Sequence, residues 1–138
     1  MENGGGSMIN ILLTSHGGMA QGMMQSVRML VGEQQNLDYV TFEEEMGADE
    51  LNEAFEKKIR DVSSERQYLI FCDIKGGTPF NVVSRYSYQN DNVAVIYGMN
   101  LPLLIEAIIQ CGNPELTLEN LAAGLAQQGK ETIGLSEL

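Results

Sequence analysis

Two short stretches of this chain carry side chains of the type and spacing that could handle an anion. The first is Thr14-Ser15-His16-Gly17-Gly18, which holds the only histidine among the 138 residues. The second is Asp73-Ile74-Lys75-Gly76-Gly77-Thr78-Pro79. Each couples one titratable side chain to a pair of glycines, and glycine lets backbone N–H groups approach a ligand closely. A helix start behind such a turn favours negative charge. An imidazole titrates near pH 6.5 when unperturbed, so a neutral ring nitrogen is available as a nucleophile. A carboxylate that accepts from one ring nitrogen fixes the tautomer and leaves the other nitrogen free to react. Together these residues point to phosphate chemistry, with His16 and Asp73 as its reactive pair. Thr78 and the amides of Gly77 and Gly18 are the candidate holders of phosphoryl oxygens, and Gly17 belongs to the same turn.

The elements around the two stretches explain how they could meet. Ile9, Ile11, Leu12 and Leu13 form a short apolar run that ends at Thr14 and Ser15, the pattern of a strand buried on both faces. Met19, Met23, Val27 and Leu30 or Val31 then recur at helical spacing, with Gly32 as the expected C-cap. Leu37 to Phe42 reads as a weaker second strand, and Glu43 to Glu45 as a solvated acidic loop. A second amphipathic helix is expected from near Ala48 to near Ser63, burying Leu51, Ala54, Phe55, Ile59 and Val62. Tyr68 to Cys72 make a third strand that ends at Asp73. Thr78 is the expected N-cap of the next helix, with Pro79 at its first position. Val93 to Tyr97 form a fourth strand, and Asn100-Leu101-Pro102 opens another helix. That helix, Leu103 to Gln110, is apolar on nearly every side, so part of it is open to cover by a partner subunit. Leu118, Leu121, Ala122 and Leu125 mark a last amphipathic helix. A short tail with Ile133 and Leu135 is read as an edge strand.

Strands that alternate with helices indicate an α/β domain built on an open, mostly parallel sheet with helices on both faces. In a flavodoxin-like strand order, 2-1-3-4, the first and third strands are neighbours and straddle the switch point where such folds bind ligands. His16 and Asp73 then come within side-chain reach of each other.

Composition narrows the function classes. The formal net charge of −11 argues against a nucleic-acid binder, which needs a basic patch. Met1 to Ser7, MENGGGS, has the look of a tag or linker remnant, leaving residues 8–138 as one domain. The longest apolar run, near Leu101 to Ile109, is too short to span a bilayer and is interrupted by Glu106. Cys72 and Cys111 each lie in apolar runs and are read as buried free thiols. One histidine and two separated cysteines do not make a metal site of the usual ligand sets, and no cofactor is expected. The glycines do not spell a dinucleotide fingerprint, and no P-loop is present. Ser15-His16-Gly17 lacks the arginine and the second histidine of a histidine phosphatase. The compartment is expected to be cytoplasmic.

From Met8 to about Lys130 the chain resembles the enzyme IIA domain of the mannose family of the bacterial sugar phosphotransferase system. Three strings carry the resemblance: Thr14-Ser15-His16-Gly17, Asp73-Ile74-Lys75-Gly76-Gly77-Thr78-Pro79-Phe80-Asn81, and Tyr97-Gly98-Met99-Asn100-Leu101-Pro102. The resemblance implies a phosphocarrier, a phosphotransferase component without metal or cofactor. His16 would take a phosphoryl group from phospho-HPr and pass it to an enzyme IIB component that serves a membrane sugar permease. Asp73 matches the carboxylate partner of the histidine, and Thr78 the hydroxyl that contacts the phosphoryl group. The resemblance also implies a homodimer in which the C-terminal strand crosses between subunits. No IIB-type segment follows, so a free-standing subunit is expected. Lys75 stands where some relatives carry an aromatic residue. A small-ligand-binding or regulatory α/β domain that uses the same glycine turns is the rival reading.

Overall fold

The computed structural model describes residues 9–59 and 66–137. Its elements alternate along the chain: β1 (Ile9–His16), α1 (Met19–Val31), β2 (Leu37–Phe42), α2 (Ala48–Lys58), β3 (Gln67–Phe71), α3 (Thr78–Gln89), β4 (Val93–Ile96), α4 (Leu101–Gln110) and α5 (Leu118–Gly129). The four strands form one parallel sheet in the order β2-β1-β3-β4, as the pattern requires.

Alternation along β1 assigns side chains to the two sheet faces. Ile9, Ile11 and Leu13 pack with Ala20 and Val27 of α1, Leu104 and Ala107 of α4, and Leu121 and Leu125 of α5. Leu12 faces the other way, into a second cluster with Leu51 and Phe55 of α2 and Val82 and Val83 of α3. The central strands are thus covered on both faces, which is why they read as continuous apolar runs rather than as alternating ones. His16 falls on the same parity as Leu12, so it emerges on the α2/α3 side at the carboxyl end of the sheet.

Several local readings of the sequence hold. Gly32 caps α1 with φ +80°, a conformation that glycine adopts without strain. Asn100 caps α4, its side-chain oxygen accepting from the Leu103 N–H at 3.0 Å. Cys72 and Cys111 are buried and free. Glu43 to Glu45 are exposed in a turn.

Other boundaries differ. The N-cap of α3 is Gly77, with extended backbone, rather than Thr78. Thr78 is therefore the first helical residue and Pro79 the second, where the missing proline N–H still costs nothing. Leu101 and Pro102 belong to α4 itself, so that helix begins two residues before Leu103. α4 buries Leu103, Leu104 and Ala107 but leaves Ile109 exposed. The described part of α2 ends at Lys58 with Ile59 as its C-cap; the expected continuation through Val62 to Ser63, like the expected remnant at Met1 to Ser7, lies outside the described residues. In the single chain the expected edge strand is not formed. Residues 131–137 are irregular, with Ile133 86% and Leu135 90% exposed. A lone terminal segment needs a neighbouring strand to pair with before it can be a strand.

Candidate functional site

The register of the sheet sets the site. Leu13 of β1 lies opposite Phe71 of β3, so the residues just beyond both strands stay close. Asp73 leaves β3 in a turn secured from the neighbouring β4–α4 connection: the Gly98 N–H donates to the Asp73 carbonyl at 2.9 Å, and the Met99 N–H to the Cys72 carbonyl at 3.0 Å. Gly98 has φ +79°, which a side chain would resist. The carboxylate is thereby aimed across at β1.

One oxygen of that carboxylate makes two contacts with one residue. Asp73 Oδ2 accepts the His16 backbone N–H at 2.9 Å and lies 2.7 Å from His16 Nδ1. The Asp73 side chain is 11% exposed and the His16 side chain 46%, so the acceptor is sheltered while the imidazole reaches solvent. Burial raises the carboxyl pKa, but the hydrogen bonds from the His16 backbone and ring, with the Ile74 amide, outweigh it and hold Asp73 below the ordinary carboxylate range. An ionised carboxylate can only accept, so the short contact requires the proton on Nδ1. Nε2 is then the nitrogen with a free lone pair.

Two further residues confine the ring. Phe42, opposite His16 in the β1–β2 register, meets it edge-on, with centroids 5.7 Å apart and planes at 79°. On another side the α3 N-cap comes unusually near. A Cβ built on Gly77 would lie 2.8 Å from His16 Cε1 and 3.5 Å from Nε2. Gly77 is thus required by proximity rather than by its backbone angle. Nε2 lies beside the start of α3, where unpaired N–H groups and the helix dipole favour an anion.

The sequence-predicted residues therefore divide. His16, Asp73 and Gly77 are brought together, and Thr78 follows Gly77 as the first residue of α3. Gly17 shapes the turn with φ +59°, but its N–H is already engaged by the Phe42 carbonyl at 2.8 Å. Gly18 is the N-cap of α1. Lys75 sits on the rim over the Tyr97 ring, 5.7 Å from its centroid, and Phe80 packs edge-on against the same ring. Cys72, next to Asp73, is excluded as a nucleophile: burial, then the Asp73 charge, pushes its thiol up to about 12.

Sequence reasoning missed Phe42, Ser15 and Asn81. Phe42 was legible once β2 is paired in parallel with β1, because the register sets it level with His16. Ser15 is fully buried and its hydroxyl accepts the Ala20 N–H at 2.8 Å, spanning the whole His16 turn. Asn81 holds the Gly76 carbonyl through its side-chain amide at 3.4 Å. No sequence pattern marks either of those contacts.

A family model described as the PTS system fructose IIA component matches residues 10–124. The chain therefore belongs to the mannose-type enzyme IIA family of the sugar phosphotransferase system. It is 31% identical over 101 residues to the PTS system fructose-specific EIIA component of Bacillus subtilis, covering 73% of this chain and 69% of that protein. It is 28% identical over 125 residues to the PTS system mannose-specific EIIAB component of Escherichia coli, covering 91% of this chain. The chain spans only 38% of the length of that relative. The mannose/sorbose specific IIA subunit from Enterococcus faecalis superposes with a TM-score of 0.83 at 29% identity, over 94% of this chain and 95% of that one. Among the described residues, no helix is long and apolar enough to cross a membrane.

Two outcomes follow from the geometry. Gly77→Ala should fold normally, because the backbone there is ordinary, yet its methyl must push the imidazole off Asp73. A changed pair of His16 ring 15N shifts is expected, and unchanged shifts would refute the steric role. Asp73 has a depressed pKa in the folded chain, so the stability it contributes is fully present above the unfolded carboxyl value of about 3.9. That stability is lost only as pH falls through the lower folded value. In urea titrations the stability advantage of the wild type over Asp73→Asn should persist at pH 5 and decline below about pH 4.

Proposed function

We propose that this chain is a phosphocarrier of a sugar phosphotransferase system, with His16 as the residue that carries the phosphoryl group. The observation that carries the reading is the 2.7 Å contact of Nδ1 with Asp73 Oδ2, which leaves Nε2 unprotonated beside the start of α3. In the forward step the Nε2 lone pair attacks phosphorus. A P–Nε2 bond forms while the bond from phosphorus to the donor breaks, and its electron pair leaves with the donor. The ring gains positive character and keeps its Nδ1 proton, which Asp73 stabilises. The Gly77 and Thr78 amides, with the Thr78 hydroxyl, are assigned to the phosphoryl oxygens, and Gly18 flanks them. Gly17 contributes the shape of the turn. Phosphoryl transfer needs positioning and charge stabilisation above all, and no metal or cofactor enters these steps.

The donor is phospho-HPr and the acceptor an enzyme IIB component, which in turn serves the membrane permease, so the carrier works in the cytoplasm. Family membership supports these partners, and the curated relatives named above are sugar-system components. We also infer that residues 8–138 act as one IIA-type domain in a homodimer. Among the described residues β4 pairs only with β3, and its other edge borders a groove of about 520 Å³ lined by residues including Tyr97, Leu103, Ala122 and Ile133. An unpaired edge beside an apolar groove is a site for strand addition. The exposed Ile133 and Leu135 of a second copy suit it.

Incubation with phosphoenolpyruvate, enzyme I and HPr, followed by alkaline intact-mass measurement, should add one phosphoryl group per chain and none in His16→Ala. A charge-assisted hydrogen bond is worth roughly 1.5–3 kcal/mol. Asp73→Asn should therefore slow uptake by roughly 10- to 100-fold. No addition from a donor shown to be phosphorylated would overturn the carrier reading. Light scattering at micromolar concentration should give twice the monomer mass, and a monomer would overturn the dimer.

A further inference from the structure

β1 delivers His16 to the site, but a strand end followed by two glycines has little stiffness of its own. α1 gives no help in the ordinary way, since its N-cap, Gly18, makes no side-chain hydrogen bond. The missing cap comes from inside the turn. Ser15 Oγ accepts the Ala20 N–H at 2.8 Å, joining the residue before His16 to the second residue of α1. Ser15 and Ala20 are both fully buried, so neither can touch a donor or an acceptor protein.

We propose that Ser15 is the positioning residue for His16, a role that rests on the phosphocarrier reading only for its effect on rate. The hydroxyl closes the chain into a loop across His16, Gly17, Gly18 and Met19. Inside that loop the chain is tied down a second time, where the Gly17 N–H meets the Phe42 carbonyl at 2.8 Å. Between these two anchors the His16 N–H is held on Asp73 Oδ2, the same oxygen that receives Nδ1. Release of the Ser15 anchor lets the His16 backbone amide drift off that oxygen, and the ring goes with it. The bond has a second consequence. The Ala20 amide is one of the orphan donors that would let the N-terminus of α1 bind an anion. Ser15 and the Phe42 carbonyl occupy the Ala20 and Gly17 amides of this turn, so neither amide is open to a phosphoryl oxygen.

The test compares Ser15→Ala and Ser15→Thr with the wild type. In the wild type the 15N shifts of the His16 ring should report a single neutral tautomer with the proton on Nδ1. Ser15→Ala should show a mixture of tautomers and a maximal rate of phosphoryl uptake about five- to tenfold lower. Its half-saturating concentration of phospho-HPr should not change, because the buried residue contacts no partner. Ser15→Thr, which keeps the hydroxyl, should restore both tautomer and rate. Wild-type ring shifts and rate in a folded Ser15→Ala would overturn the proposal, as would a rate loss that appears only in the half-saturating concentration. If Ser15→Ala does not fold, Ser15→Cys supplies a weaker acceptor of similar shape and should give an intermediate tautomer ratio; a wild-type ratio there would equally overturn it. If the wild type takes up no phosphoryl group, the carrier reading falls, while the ring shifts still decide the role of Ser15.

Discussion

Everything at the carboxyl end of this sheet depends on one carboxylate oxygen that accepts two hydrogen bonds from one histidine. Asp73 Oδ2 receives the His16 N–H and the Nδ1 proton together, so it locks backbone position and ring tautomer at once. Either bond alone would leave a freedom: the ring could turn on a fixed backbone, or the backbone could slide beneath a fixed ring. The arrangement needs β1 and β3 to be immediate neighbours. It also needs β1 to run on to His16 past Leu13, which lies opposite the last residue of β3, so that the turn after β3 meets it. A parallel sheet in the order 2-1-3-4 meets the first need, and the length of β1 the second. The Gly98 and Met99 amides then hold the end of β3 from the next turn along, so three strand ends cooperate in placing a single contact.

The same oxygen also fits the phosphocarrier role proposed above. Asp73 stays ionised although it is mostly sheltered, because the N–H groups that it serves outweigh its burial. In the proposed transfer, a sheltered, ionised acceptor would stabilise the positive charge that the ring gains at Nε2. Phe42 and Gly77 limit the ring from two sides, so Nε2 stays near the start of α3. Gly77 is chosen for absence of bulk, whereas Gly17 and Gly98 are chosen for positive φ. These are different physical demands met by the same residue type.

Much of this was legible in the sequence. Uninterrupted apolar runs such as Ile11-Leu12-Leu13 announced strands buried on both faces, and the helices between them required parallel pairing. His16 and Asp73 stood out because each closes such a run beside paired glycines. The Asp73 to Asn81 string is long enough to identify the family, which the match over residues 10–124 then shows. What stayed hidden depends on distances between segments. Ser15 looks like the polar end of a strand, and only the folded turn reveals that its hydroxyl replaces the cap that Gly18 cannot provide. Thr78 was expected to cap α3, since threonine commonly does. The N-cap is instead Gly77, one residue earlier, which lies against the imidazole. The tail at Ile133 and Leu135 is irregular in the single chain, because a strand is defined by its pairing and the tail makes none among the described residues.

The most direct measurement of the central claim is the site of phosphorylation on the His16 ring. The protein would be phosphorylated through HPr, kept alkaline, and examined by 31P and ring 15N spectroscopy. With Nδ1 committed to Asp73, the phosphoryl group must appear on Nε2, and the Nδ1 proton must remain hydrogen-bonded. Phosphorylation on Nδ1 would mean that the His16–Asp73 bond breaks before transfer, and the structural basis for the reaction given above would be wrong.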